Sequence, residues 1–264
     1  MLIQNKYNII EKIGEGTFST VYKAEHILKK HLVAIKCEKK GSKISKKLFE
    51  NEIRIYLELL KHKRHKIVNI KSFGCIGTQN YIIMELLYMD LETFFKQNIN
   101  IIDIDTIDKL FNQCITLIKN LHNTGFVHRD IKPDNFLFDK NDDLCMIDLG
   151  LSARYDKNKS LNKMIGSTMF CAPDVHQEYC VYQKEYDIIS IYYMFFYLIT
   201  KELPWSRVHI DSEKLFNSTL YSIKKYTNFL DFYEKKTYQN NKSKFIVLEY
   251  VKKYNYFIIN HFNI

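Results

Sequence analysis

Glycine and proline are scarce in this chain, at 8 and 3 of 264 residues. No Pro-, Ser- or Gly-rich tract, internal repeat or low-complexity linker is present, which excludes collagen-like and linker-dominated architectures. The few breakers that remain are informative: Gly14, Gly16, Gly150 and Gly166, with Pro133, Pro173 and Pro204, all fall inside the motifs described below. Arginine is rare too, limited to Arg54, Arg64, Arg129, Arg154 and Arg207. That scarcity argues against base readout in a groove, and no nucleic-acid module is evident. The predominantly apolar run IISIYYMFFYLIT over 188–200 is 13 residues, short of the ~20 that cross a bilayer, so no membrane association is expected. None of the six cysteines (Cys37, Cys75, Cys114, Cys145, Cys171, Cys180) forms a C-x-x-C pair. Buried free thiols, not zinc ligands, are expected of them. The N-terminal MLIQNKYNII lacks the basic-then-apolar pattern of a leader. An intracellular protein with reduced cysteines is expected, in cytoplasm or nucleus.

Lysine, tyrosine and phenylalanine are plentiful instead. Tyr and Phe number 19 and 18, and the net charge is +9. A Lys-rich solvated surface accounts for that charge; attraction to acidic protein substrates is the sharper alternative. The excess of Lys, Asn, Ile, Tyr and Phe over Gly, Pro and Arg fits an A/T-rich genome. The length allows one or two domains with a full core.

Residues 7–40 alternate and carry β-branched and aromatic side chains in three runs, YNIIEKIGEG, FSTVYKAEH and HLVAIKCEK, which predicts a strand meander. KKLFENEIRIYLELL follows, with a helical apolar stripe at Phe49, Ile53, Tyr56 and Leu60. IVNIKSF and NYIIMEL read as two further strands. The first ~90 residues therefore form a mostly antiparallel sheet with one helix. Between Asp103 and Gly125, Ile107, Leu110, Phe111, Cys114, Leu117, Ile118 and Leu121 follow helical spacing, and Gly125 is a good helix stop. The 188–200 run reads as a buried central helix. A boundary is expected near Glu85 to Asp90, dividing 1–87 from 88–264.

Five motifs carry chemistry. Ile13-Gly14-Glu15-Gly16-Thr17-Phe18-Ser19-Thr20-Val21 places glycines between two strands, where backbone can approach phosphates closely; a tight hairpin explains the glycines equally well. In Val33-Ala34-Ile35-Lys36 the lysine on the third strand suits the α/β-phosphates of ATP, with Glu52 on the next helix as its partner and Glu50 as the other candidate. The third motif, His128-Arg129-Asp130-Ile131-Lys132-Pro133-Asp134-Asn135, decides the reading. Asp130 can orient an attacking hydroxyl and accept its proton, Lys132 can stand near a transferring phosphoryl group, and Asn135 can supply an oxygen to a magnesium ion. Asp148-Leu149-Gly150, 18 residues after Asp130, follows an apolar-rich stretch and offers a second metal ligand in Asp148. The last is Gly166-Ser167-Thr168-Met169-Phe170-Cys171-Ala172-Pro173-Asp174, followed by Asp187 and by Leu203-Pro204-Trp205. Core packing is the expected role of Trp205, the sole tryptophan.

Together these residues resemble the eukaryotic-type protein kinases over essentially the whole chain, and most closely the casein kinase I and vaccinia-related kinase group, through HRDIKPDNFL, EIRIY, Met84-Glu85-Leu86-Leu87 and LPW. The resemblance implies a two-lobe α+β kinase fold, an N-terminal antiparallel sheet plus one helix and a mainly helical C-terminal lobe, with ATP and magnesium (manganese as the alternative ion) in the cleft. It implies that Met84 lies behind the adenine, that the backbone of Glu85 and Leu87 holds its edge, and that Asp90 lies near the ribose. Lys132, two residues after Asp130, resembles serine/threonine kinases. The implied activity is transfer of the γ-phosphoryl group of ATP to protein Ser/Thr hydroxyls by a monomer. A pseudokinase scaffold and a small-molecule kinase of the same fold are the alternatives. All of Lys36, Asp130, Asn135 and Asp148 being in place argues against the first, and Lys132 argues against the second. A poxvirus-like or other large-DNA-virus origin, with host cytoplasm or virion as location, fits the composition.

Departures from the group are specific. Ala172-Pro173-Asp174 is an A-P-E-like tripeptide that casein kinase I enzymes usually lack, with Asp in place of Glu. In Ser152-Ala153-Arg154-Tyr155-Asp156, Asp156 stands where an arginine would bind a phosphate already on the substrate. No arginine follows Arg207, so the ion pair that commonly ties the activation segment to the last helices, near VLEYVKKYNYFIINHFNI, is not expected.

Overall fold

A computed structural model describes residues 2–39, 43–61 and 67–226. The C-terminal VLEYVKKYNYFIINHFNI lies outside them. The chain divides into two compact units, one of residues up to Met89 with Leu137–Ser152, the other of Asp90–Phe136 with the chain from Ala153 onward. The return of Leu137–Ser152 to the first unit was not anticipated from the sequence.

The first unit holds a six-stranded antiparallel sheet, built from β1 Leu2–Ile3, β2 Tyr7–Glu15, β3 Ser19–His26, β4 Leu32–Glu38, β5 Ile70–Ile76 and β6 Gln79–Glu85, in the order β1-β2-β3-β4-β6-β5. Alternation sets its faces. Val33, Ile35 and Cys37 of β4 join Tyr7, Ala24, Tyr81 and Ile83 in a buried cluster on one side. Ala34 and Lys36, also buried, are directed to the opposite side by the two-residue period. β5 begins at Ile70, three residues after the strand expected from Ile67, because Ile67 forms an isolated bridge to Met146 instead.

Helix α1, Lys43–Leu59, buries Phe49, Glu52, Ile55, Tyr56 and Leu59. This corrects the apolar stripe: Leu60 is 53% exposed, and the buried face is rotated so that Glu52, 1% exposed, lies within it. An acid on a buried helical face needs a partner, and β4 provides one.

The second unit is mainly helical, with α2 Leu91–Asn98, α3 Ile104–Asn123, α4 Lys184–Thr200 and α5 Glu213–Tyr226. Every apolar position expected to face inward on α3 is buried. Its start is capped by Asp103, whose carboxylate accepts from Thr106 N, and it stops before Gly125 at φ +84°, where glycine meets no side-chain penalty. α4 is buried nearly all round, as its composition predicts. Phe111 of α3 packs on Tyr192 and Phe195, and Trp205 on Tyr193. No helix among the described residues is long and apolar enough to cross a membrane.

The exception to α4's apolar surface organises the unit. Asp187 is fully buried. Its carboxylate accepts from the backbone N–H of His128 (2.8 Å) and Arg129 (2.9 Å) and from Tyr182 Oη (2.9 Å), and it lies 2.8 Å from His122 Nε2. Burial works against the charge, but these hydrogen bonds outweigh it and hold the Asp187 carboxyl below its ordinary value. Asp187→Ala strands two backbone amides at roughly 1–3 kcal/mol each, so urea denaturation should show a loss of several kcal/mol. Asp187→Asn, which keeps one acceptor, should lose less.

Candidate functional site

Lys36 sits on β4, which pairs with β3 on one side and β6 on the other, so its backbone is fixed from both edges. Its ammonium donates to Glu52 Oε2 at 2.7 Å and to Asp148 Oδ1 at 3.0 Å. Burial opposes the ammonium, yet the carboxylates of Asp148 and Glu52 more than compensate and raise its pKa above that of an ordinary lysine. Burial likewise raises the Glu52 carboxyl, with Lys36 pulling the other way. Glu52 is thus the acid partner; Glu50 is exposed and lies 3.9 Å from Lys46.

Asp148 follows the strand Leu144–Met146 and adopts φ +59°. A non-glycine residue in that region carries backbone strain and persists only where its surroundings hold it. Two contacts do so here: Lys36 on the carboxylate, and Asn51 of α1, whose Nδ2 donates to the carbonyls of Gly150 and Ser152 at 2.9 Å each. Asp148 is 38% exposed, so its carboxylate remains reachable by a ligand. Asn51 escaped the sequence reading because its partners are backbone carbonyls.

The glycine motif forms the β2–β3 hairpin. Gly14 pairs with Val21 and Glu15 with Thr20, and Gly16 N donates to Ser19 O at 2.9 Å, leaving Gly16, Thr17 and Phe18 as the tip. A side chain at Gly16 would meet nothing nearer than Ser19 O at 3.8 Å, so the backbone there is open to close approach. Glu15 is engaged by Lys12 (2.9 Å) and Lys39 (3.0 Å) on the surface, and Ile13 is 45% exposed. Ala34 pairs with Met84, which is buried, and Glu85 N donates to Asn69 O at 2.9 Å; Leu87 is buried just beyond β6.

In the second unit, Arg129 has φ +71° and Asp130 is nearly buried. Asp130 N donates to His128 Nδ1 at 3.2 Å, and Asp130 O accepts from Asn135 Nδ2 at 2.8 Å. Pro133 opens the short 3-10 turn Pro133–Asn135, closed by Asn135 N on Lys132 O at 3.1 Å. Lys132 Nζ lies 3.1 Å from Asp130 Oδ2. The turn thereby collects an acid, a cation and an amide within six residues. The Asp90 carboxylate acts locally, capping α2 by accepting from Thr93 N at 2.7 Å and Thr93 Oγ1 at 3.0 Å.

Gly166 closes this loop from the other side. It has φ +90°, and a Cβ there would collide with the Arg129 carbonyl. Gly166→Ala should therefore undock the segment at a cost of ~1–3 kcal/mol, reducing turnover roughly 5–150-fold. Initial rates at saturating nucleotide, with melting curves to confirm a folded variant, check this. Further along, Arg154 stacks over Phe126 with its guanidinium 5.0 Å from the ring centre.

Within the first unit, the open backbone at Gly16 and the Asp148 carboxylate are of a kind that suits phosphates and a divalent ion. Magnesium is usually bound by one or two protein oxygens plus substrate phosphates. In the first unit Asp148 offers a partly exposed carboxylate; in the second, Asn135 Nδ2 donates to Asp130 O, which leaves its amide oxygen outside that bond. The open backbone at Gly16 suits phosphates. Compared with models of known families, residues 7–255 match the one described as Protein kinase domain.

Proposed function

The chain belongs to the protein kinase family, and from that premise we propose that it is a serine/threonine kinase, transferring the γ-phosphoryl group of ATP to hydroxyls of protein substrates. The observation that carries this reading is the Asp130–Lys132 pair at 3.1 Å on the turn that also bears Asn135. The Asp130 carboxylate orients the acceptor hydroxyl and takes its proton. The Lys132 ammonium balances charge on the phosphoryl group in flight. Lys36, held by Glu52, would bind the α/β-phosphates, and Asp148 in the first unit and Asn135 in the second are each proposed as a ligand for magnesium. When bound, that ion neutralises charge on the phosphates. The glycine hairpin from Ile13 to Val21 covers them, and Ala34, Met84, Glu85 and Leu87 receive the base. Asp90 remains the candidate for the ribose. Its carboxylate then serves the ligand while still capping α2.

Within the family, the chain's catalytic loop and LPW support a place near the casein kinase I and vaccinia-related kinases. A net charge of +9 supports acidic protein substrates. Asp156 in place of an arginine argues against a requirement for a phosphate already on the substrate. A degenerate peptide array, run with magnesium-ATP, tests the reading. Phosphorylation of Ser and Thr positions flanked by Asp and Glu is expected. Tyrosine labelling, or a preference confined to pre-phosphorylated peptides, would contradict it.

A further inference from the structure

Lys224 has no role in the reaction proposed above, yet it is only 2% exposed. It lies in the last turn of α5. Its ammonium donates to the carbonyl oxygens of Thr168 and Cys171, each at 2.7 Å, and lies 3.6 Å from Cys171 Sγ. The rings of Trp205 and Tyr193 face it at 5.1 and 5.8 Å. Burying an ammonium is costly unless dipoles or charges replace its water. Here carbonyl dipoles and aromatic faces do so. Burial nonetheless brings its pKa down to about 8, with Cys171 acting in the opposite sense.

The knot around Lys224 is specific to one stretch of chain. Trp205 Nε1 donates to Met169 O at 2.8 Å, so the carbonyls of Thr168, Met169 and Cys171 are all gathered by this cluster. Phe170 N and Cys171 N turn back to Ser167 O at 3.2 and 3.0 Å. Beside them, Cys171 Sγ lies 3.2 Å from His176 Nε2, and His176 Nδ1 lies 3.1 Å from Asn217 Oδ1. Burial lowers the His176 pKa to about 4, so the ring is neutral near pH 7; with Nδ1 donating to Asn217 Oδ1, its Nε2 accepts a hydrogen bond from the Cys171 thiol. The stretch begins at Gly166, packed under the Arg129 carbonyl and next to Asp130 Cα. Asp174 is not the counter-ion of this lysine: its carboxylate accepts from Tyr186 Oη at 3.2 Å.

We propose that Lys224 is a positioning residue for the protein substrate, fastening the carbonyls of Thr168 and Cys171 so that residues 166–173 form a fixed ledge beside Asp130. The inference rests on the kinase reading above. It assigns the tie between this segment and α5 to a lysine–carbonyl knot.

The test compares wild type with Lys224→Met and Lys224→Gln, the second retaining an amide donor. Two readouts are taken: steady-state kinetics with an acidic Ser peptide, and amide hydrogen exchange over 166–173. In Lys224→Met, kcat/KM for the peptide should fall roughly 10–10²-fold, as displacement of a substrate support by about 1 Å does. KM for ATP and the slow transfer to water should stay unchanged, and exchange over 166–173 should rise while that over α4 does not. Lys224→Gln should recover part of both losses. Equal losses for ATP and peptide, unchanged exchange over 166–173, or failure of both variants to fold would assign Lys224 to the scaffold alone and overturn the proposal. If wild type phosphorylates no peptide, the kinase reading fails by itself, and the exchange comparison still decides whether Lys224 holds the segment.

Discussion

Asp130→Asn lowers turnover at least ~10²-fold, the scale of a lost general base, while leaving the fold and ATP affinity in place. The reason for the intact fold is local. The loop is held through the backbone of Asp130, by its N–H on His128 and its carbonyl under Asn135, and through Asp187 on the amides of His128 and Arg129. Asparagine preserves all of these. What it removes is the carboxylate that pairs with Lys132 at 3.1 Å and that is proposed above to accept the hydroxyl proton. Asp148→Asn should be as damaging at saturating magnesium, because it removes the carboxylate proposed as metal ligand while Lys36 keeps Glu52. Rates by a coupled assay, with melting curves alongside, check both. A folded Asp148→Asn variant with near-normal turnover would contradict the metal assignment.

Lys36→Met abolishes most activity and also changes how stability depends on pH. Glu52 is 1% exposed, and removing one partner of a buried pair costs about 3–5 kcal/mol if the other stays charged. Burial already raises the Glu52 carboxyl, so without the ammonium it takes up a proton instead. A carboxyl raised in the folded state favours folding below the unfolded value and loses that contribution as pH rises through the folded one. The variant should therefore be closest to wild type in stability at mildly acidic pH and fall behind as the solution becomes neutral and alkaline. Lys36→Met with Glu52→Gln should regain stability at neutral pH and recover no activity. Urea titrations at several pH values distinguish these outcomes from simple loss of packing.

How far the sequence carried depended on where each residue's partner lies. Asp130, Lys132 and Asn135 share one turn, so their spacing alone revealed them as a group, and Lys36 and Glu52 were paired through their elements. On α1 only the edge of the stripe was misread: Leu59 is buried and Leu60 exposed, while Glu52 lies on the buried side with Phe49 and Tyr56. Asp187, Asn51 and Lys224 were not legible as site residues. Each serves backbone amides or carbonyls distant in sequence, and a backbone group leaves no letter to read. Trp205 was legible as core but not as the donor to Met169 O. Asp90 shows the reverse case, a carboxylate marked for a ligand by resemblance that also caps a helix.

The central claim is transfer of phosphate from ATP to protein serine and threonine, and the most direct measurement is labelled transfer with phosphoamino-acid analysis. Wild type and Asp130→Asn are incubated with γ-labelled ATP, magnesium and casein, and the labelled protein is hydrolysed and resolved. The account predicts label in phosphoserine and phosphothreonine with wild type and at most a trace with Asp130→Asn. Label in phosphotyrosine, label released only as inorganic phosphate, or equal labelling by the two proteins would contradict it.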